Sequence, residues 1–285
     1  MTDVILKQFQ KQTQLTCKIP VDDELIQSKT VYLAPADFHM MLVDDQIKIK
    51  KGAYENHWRP SIDVLFRSAA AAYGPCVTGI VLTGLLDDGT SGMSAIKRSG
   101  GKCIVQDPME AEFPDMPKNV INNVPVDFSV PIHEMGYILS DLVSNKQCDE
   151  GQIPEDVKLE AEITVRMSSN IEDLQKLGSF TPITCPDCGG AMVKIKNDPI
   201  ARYRCYTGHS FTELALEDEQ IKGLEESIWV AIRMLEERRN LLISMVKRRE
   251  TQAEEQDPGK IEQISNIELH ISRLKAMLKD VGNKV

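Results

Sequence analysis

Two groups of side chains in this 285-residue sequence have the types and spacing that chemistry uses. The first is a pair of carboxylates, Asp87 and Asp88, within GIVLTGLLDDGTSGM from Gly79 to Met93. The apolar run Ile80, Val81, Leu82, Thr83 reads as a central parallel strand, and Asp87, Asp88 and Gly89 fall where the following helix begins. Open α/β sheets bind and react at such strand ends. The plainer reading is that Asp88 or Ser91 caps the helix amides ahead of Met93 to Arg98. A phosphate loop does not fit, because Thr90 stands where its lysine belongs.

The second group is CPDCGG at 185–190 with RCYTGH at 204–209, which brings together Cys185, Cys188, Cys205 and His209. Two short-spaced ligand pairs on separate turns suit tetrahedral zinc, and four protein ligands leave no position open for water. The spacing predicts a structural zinc that folds its module rather than a catalytic one. Gly189 and Gly190 permit a tight knuckle after the first pair, and AMVKIK and ARYR supply the strands of a zinc ribbon. A redox role for the Cys-x-x-Cys pair lacks the βαβ context that role needs. The remaining cysteines, Cys17, Cys76, Cys103 and Cys148, are scattered. They are expected to stay reduced, with Cys76 and Cys103 as small buried hydrophobes.

The elements that must position these groups alternate between strands and helices. Val4, Ile5 and Phe9 give the opening segment a helical apolar face. His39 to Val43 and Gln46 to Lys50 read as strands joined at Asp44 and Asp45, and Pro60 suits the first turn of a helix bearing Val64, Leu65 and Ala69. Strands at 102–106 and 126–130 and helices at 117–123 and 131–144 follow. This alternation predicts an α/β, three-layer, mostly parallel sheet over residues 1–145. Residues 146–180, polar and partly acidic, read as a linker with a short helix near Asn170 to Gln175. The zinc ribbon then occupies 181–213. A helical hairpin follows over 214–285, with Ile221, Leu224, Ile228, Ile232 and Leu235 on one helix. Ile264, Ile267, Ile271, Leu274 and Leu278 form a coiled-coil seam on the other, beyond the break in EEQDPGK. The hairpin either packs its own core or offers a surface for self-association.

A net charge of −10 disfavours nucleic acid and anionic membrane surfaces as partners. No apolar run approaches a membrane span, so no membrane insertion is expected, and the start MTDVILKQFQ lacks the regions of a signal peptide. A cytoplasmic protein with a protein partner fits best.

Four ordered blocks, VYLAPADFHM at 31–40, HWRPSIDVLF at 57–66, GIVLTGLLDDGTSGM at 79–93 and AEFPDMPKNVI at 111–121, resemble the catalytic domain of chemotaxis protein-glutamate methylesterases, the CheB-type family. The cysteine segment also resembles an extension carried by some stand-alone relatives, with Tyr206 where a histidine is common. The resemblance implies hydrolysis of glutamate methyl esters on chemoreceptors by a serine, histidine and aspartate, and the family aspartate falls on Asp88. Leu85, Leu86 and Asp87 replace the usual Met, Gly and Asn of that loop. The family's Gly-x-Ser-x-Gly-Gly turn occurs nowhere in the sequence, and its histidine belongs upstream of the matched region, so the domain is expected to be N-terminally incomplete. Asp88 alone supports no serine-esterase mechanism, because its role is to orient an imidazole. A rewired triad would draw on His39, His57 and Ser91. His57, Trp58 and Arg59 either face a catalytic cleft or form a turn before Pro60. Three readings stay open: a methylesterase whose serine and histidine are supplied upstream, an inactive relative that binds a receptor or signalling protein, and a fragment without function.

Overall fold

Short β-branched runs separated by amphipathic helices can bury both sheet faces only by layering, and the first half of the chain does so. The computed structural model describes residues 2–144, 151–251 and 258–282. Its elements begin with α1 (Thr2–Gln12), β1 (Thr16–Lys18), β2 (Glu24–Leu25), β3 (Thr30–Tyr32), β4 (His39–Val43), β5 (Gln46–Lys50) and α2 (Ile62–Tyr73). They continue with β6 (Thr78–Val81), α3 (Thr90–Arg98), β7 (Lys102–Gln106), α4 (Asp115–Asn123), β8 (Phe128–Val130) and α5 (Ile132–Ser144). Strands β6, β7 and β8 form a parallel sheet in that order, with Ile80 opposite Ile104 and Ile104 opposite Phe128. Val81, Met93, Ile96, Val105 and Val120 make its core, and Phe66 of α2 packs against it. Helices α2 and α3 meet at Gly92, where a Cβ would lie 2.6 Å from the Cβ of Phe66 and 3.0 Å from the Cα of Asp63.

The expectation of one mostly parallel sheet needs correction. The parallel strands form two separate sheets, β6-β7-β8 and the pair β1-β3, while β2, β5 and β4 make a third, antiparallel one. The reason is local: Asp44 and Asp45 both take positive φ, 46° and 62°, and a two-residue turn of that kind can only reverse the chain.

The segment read as a linker is also largely ordered. Residues 155–184 form α6 (Glu155–Arg166), α7 (Ile171–Leu177) and β9 (Gly178–Thr184), whereas residues 145–150 lie outside the described residues. Asn170 caps α7, its side-chain oxygen accepting from the Asp173 amide at 2.7 Å. Strands β10 (Ala191–Ile195), β11 (Arg202–Cys205) and β12 (Ser210–Thr212) complete a four-stranded antiparallel sheet in the order β12-β11-β10-β9. Ile163, Leu174 and Leu177 of the two helices share a core with Val193 and Ile195 of that sheet. The described residues up to Ala215 belong to one compact unit, so the cysteine sheet is built into the α/β body.

A second unit, Leu216–Val285, contains most of α8 (Glu213–Thr251) and all of α9 (Pro258–Gly282). Ile228, Ile232 and Leu242 of α8 share its core with Ile267 and Ile271 of α9. Most of the EEQDPGK break lies outside the described residues. Cys103 is fully buried, and burial pushes its thiol up to about 12, as an inert core cysteine requires. Cys76 departs from expectation: it is exposed and disulfide-bonded, at the end of the turn that carries α2 into β6. Cys148 lies outside the described residues.

Candidate functional site

Asp88 sits in the loop between β6 and α3, at the C-terminal end of β6, which is an edge strand of the β6-β7-β8 sheet and not the central strand its apolar run suggested, and is only 6% exposed. Its Oδ1 accepts from the Ser61 hydroxyl at 2.8 Å and the Asp63 amide at 3.2 Å, and its Oδ2 accepts from the Ile62 amide at 2.9 Å. These donors are the first turn of α2. Asp88 therefore caps α2 and not α3, whose N-cap is Gly89 at φ 96° with no side-chain hydrogen bond, and this corrects the sequence-level capping assignment. The donors hold the carboxylate in one orientation and leave an acceptor position on Oδ2. Burial pushes Asp88 up to about 6, against the hydrogen bonds from Ile62 and Ser61. Burial pushes neighbouring Asp63 well above its ordinary value, and the charge of Asp88 adds to the effect.

A serine and a histidine lie next to this carboxylate, yet they are not wired for nucleophilic catalysis. The Ser61 hydroxyl donates to Asp88 and not to an imidazole. His39 accepts from the Ser61 amide at Nδ1 (3.3 Å) and pairs through Nε2 with the Ala53 carbonyl (2.9 Å), so both its nitrogens are engaged. Burial lowers its pKa, which keeps the ring neutral. A base must reach the proton of its nucleophile, and here it does not. Ser91 is committed elsewhere, donating to Asp198 at 2.7 Å. His57 takes positive φ (68°) and lies edge-on to Phe211, ring centroids 5.9 Å apart. His39, His57 and Ser91 are thus not assembled as a rewired triad. Trp58 is half exposed, and Arg59 pairs with Asp37 and donates to the Gly52 carbonyl at 2.7 Å.

The cysteine sheet reaches this end of the parallel sheet. The Asn56 side chain accepts from the Thr212 amide at 2.9 Å, and the Asn56 amide donates to the Ser210 carbonyl at 2.8 Å. Asp87 is pushed up by burial, opposed by a hydrogen bond from Thr212. A cavity of about 270 Å³ beside it is lined by Asp87, Asn119, Asn123, Ile200, Thr212 and Glu213. What anchors the two layers is a buried ion network that sequence reading did not find. Arg67 of α2 donates to Glu55 at 2.7 Å, and Arg202 of β11 grips Glu160 of α6 through both terminal nitrogens. Arg204 and Asp198 complete it.

Cys185, Cys188, Cys205 and His209 converge as expected, with one ligand atom from each within 4.8 Å of all the others. The Sγ atoms of Cys188 and Cys205 are 3.7 Å apart, and His209 Nδ1 lies 3.7 Å from Cys185 Sγ and 3.6 Å from Cys205 Sγ. Ligands at roughly 2.3 Å from one ion in tetrahedral array stand about 3.7 Å from each other, so the donors fit a metal of that kind. Hydrogen bonding from Cys185 holds the Cys205 thiol down at about 3, a thiolate suited to ligation. The other ring nitrogen of His209 faces Asp187 at 3.6 Å, the type of outer carboxylate that orients a ligating imidazole. Gly208, at φ 112°, makes the knuckle between Cys205 and His209.

Residues 1–139 match the family model described as CheB methylesterase. A Leptospira interrogans protein provisionally named protein-glutamate methylesterase/protein-glutamine glutaminase is 34% identical over 138 residues, which are 48% of this chain and 72% of that protein. The chain belongs to the CheB methylesterase family. A Methanosarcina mazei protein-glutamate methylesterase/protein-glutamine glutaminase is 34% identical over 142 residues, 47% of this chain but 39% of that longer relative. The crystal structure of the Thermotoga maritima CheB methylesterase catalytic domain aligns at 29% identity and a TM-score of 0.48, covering 50% of this chain and 77% of that one. Asp88 lies inside the matched methylesterase region, and the cysteine sheet lies beyond it. Among the described residues, no helix is long and apolar enough to cross a membrane.

Proposed function

We propose that this methylesterase domain serves the hydrolysis of glutamate methyl esters on a methylated chemoreceptor or related signalling protein in the cytoplasm, with Asp88 as the acid of the triad. The observation that carries this reading is the preset carboxylate: three donors from the first turn of α2 fix Asp88 at the end of β6 and leave Oδ2 able to accept one more proton donor. An imidazole N–H in that position would be held in the tautomer that lets its other nitrogen take a serine proton, and the carboxylate would stabilise the imidazolium as methanol leaves. The serine and histidine come from polypeptide outside the 285 residues. The Cys185, Cys188, Cys205 and His209 set holds a structural zinc, and its sheet is a zinc ribbon that braces the loop beside Asp87.

The test is methanol release from a methylated receptor. The 285-residue chain alone should release none, whereas the chain joined to a segment carrying the family's serine turn and histidine should release it. A second reading, a receptor- or signalling-protein-binding module without hydrolysis, is favoured by the closed wiring of Ser61 and His39. Receptor binding with no methanol release from the joined form would establish that reading instead.

A further inference from the structure

Helix α8 carries two apolar faces, and its partner in the hairpin covers only one. Ile228, Ile232, Leu235 and Leu242 turn toward α9. Val230, Met234, Leu241 and Met245 are 48%, 60%, 61% and 40% exposed. At 3.6 residues per turn these four fall within roughly 60° of one another, on the side away from the α9 seam. A globular helix packed on one side has no use for a second stripe, and large exposed apolar side chains in line mark an interaction surface.

What covers the stripe can be read from its symmetry and its charge. The spacings are four, seven and four residues, so the stripe is the same read in either direction about a point between Glu237 and Arg238. A second copy of α8 laid antiparallel on that point would seat Val230 on the partner's Met245 and Met234 on the partner's Leu241. The helix is also polar end to end: Asp218, Glu225 and Glu226 crowd the part before the stripe, and Arg238, Lys247 and Arg248 the part after its centre. Antiparallel pairing sets acidic half against basic half and brings Glu226 within one residue of register with the partner's Arg248, whereas parallel pairing would set like charge on like. An isologous two-fold interface requires such a self-complementary patch.

We propose that the chain self-associates as an antiparallel dimer through the Val230, Met234, Leu241 and Met245 face of α8, so that two hairpins form a four-helix bundle. The hairpin's own seam stays intact, because that face lies on the other side of the helix.

Analytical ultracentrifugation of the full chain over a concentration series tests this. Dimer is expected, and Met234→Glu with Leu241→Glu should raise its dissociation constant roughly tenfold or more, as losing large buried apolar contacts does, while helical circular dichroism is retained. Glu226→Arg alone should weaken the dimer and Arg248→Glu added to it should restore association. A chain that stays monomeric, or a dimer indifferent to Met234→Glu with Leu241→Glu, would overturn the proposal. A charge-exchanged double variant no stronger than Glu226→Arg alone would overturn the antiparallel arrangement.

Discussion

Arg202 of β11 grips Glu160 of α6 with two parallel hydrogen bonds, Nη1 to Oε1 at 2.5 Å and Nη2 to Oε2 at 2.7 Å, and both side chains are almost wholly buried. The pair joins a strand of the cysteine sheet to a helix packed against α2, and Arg67 of α2 approaches the same carboxylate at 3.4 Å. Through it the sheet that holds Cys185, Cys188, Cys205 and His209 and the body that holds Asp88 are tied into one compact unit. Glu55 closes the network from the loop that also contacts β12.

Removing one member of such a network strands the others in a low-dielectric interior. Glu160→Gln is therefore expected to cost about 3–5 kcal/mol of folding stability, and replacing Glu160 and Arg202 together by Leu and Met should cost less than the single change. Urea unfolding of the single and paired variants measures both.

The same groups set a pH profile. Burial alone would raise Glu160 and Glu55, but the guanidiniums of Arg202 and Arg67 overcome it and hold both below the ordinary value of 4.5. Their contribution is present above that value and is lost as pH falls below it. Asp88 runs the other way: raised from 3.8 to about 6, it contributes stability at low pH that is lost as pH rises through 6. Asp88 should add stability from pH 7 toward about 5 while buried His39, neutral in the fold, subtracts from it as the unfolded imidazole protonates, and stability should fall below about 4.5; Asp88→Asn should therefore make stability at pH 5 lower relative to pH 7. Thermal unfolding across that range, with metal held constant, checks the sign.

Cys185→Ser should lower bound zinc from one ion per chain and destabilise Met1–Ala215 as a whole, not the cysteine sheet alone, because β11 carries both Cys205 and two of the network's arginines, Arg202 and Arg204. Metal analysis beside hydrogen exchange at β6 and β7 reads both effects. Exchange confined to residues 178–212 would contradict the shared unit.

Gly92→Ala places a methyl against backbone at Asp63 and against Phe66, in contacts of 3.0 and 2.6 Å that helices α2 and α3 cannot both keep. A loss of about 1–3 kcal/mol is expected from overpacking. The Asp63 amide should also shift away from Asp88, visible as a changed carboxyl resonance.

How far the sequence could be read depended on whether burial was apolar. A strand read at 80–83 and found at 78–81, and a helix read at 93–98 and found at 90–98, followed from β-branched runs and periodic apolar residues, and the convergence of Cys185, Cys188, Cys205 and His209 followed from spacing alone. Helix α6 did not, because what it buries is partly Glu160, and a charged residue gains an interior place only from Arg67, Arg202 and Arg204, which are distant in sequence. The capping of α2 by Asp88 was invisible for the same reason, since cap and helix are 25 to 27 residues apart. The signal that could have found the network is the pair Arg202 and Arg204 on one face of a strand, alternate residues with no nearby acid on that strand.

The most direct test of Asp88 as the triad acid is methanol release by the chain joined to the family's serine turn and histidine, compared with the same protein carrying Asp88→Asn. The expected result is hydrolysis that falls about 10⁴-fold in the variant, because the histidine loses its orienting carboxylate. Hydrolysis unchanged by Asp88→Asn would show that Asp88 only caps α2 and that the acid lies elsewhere.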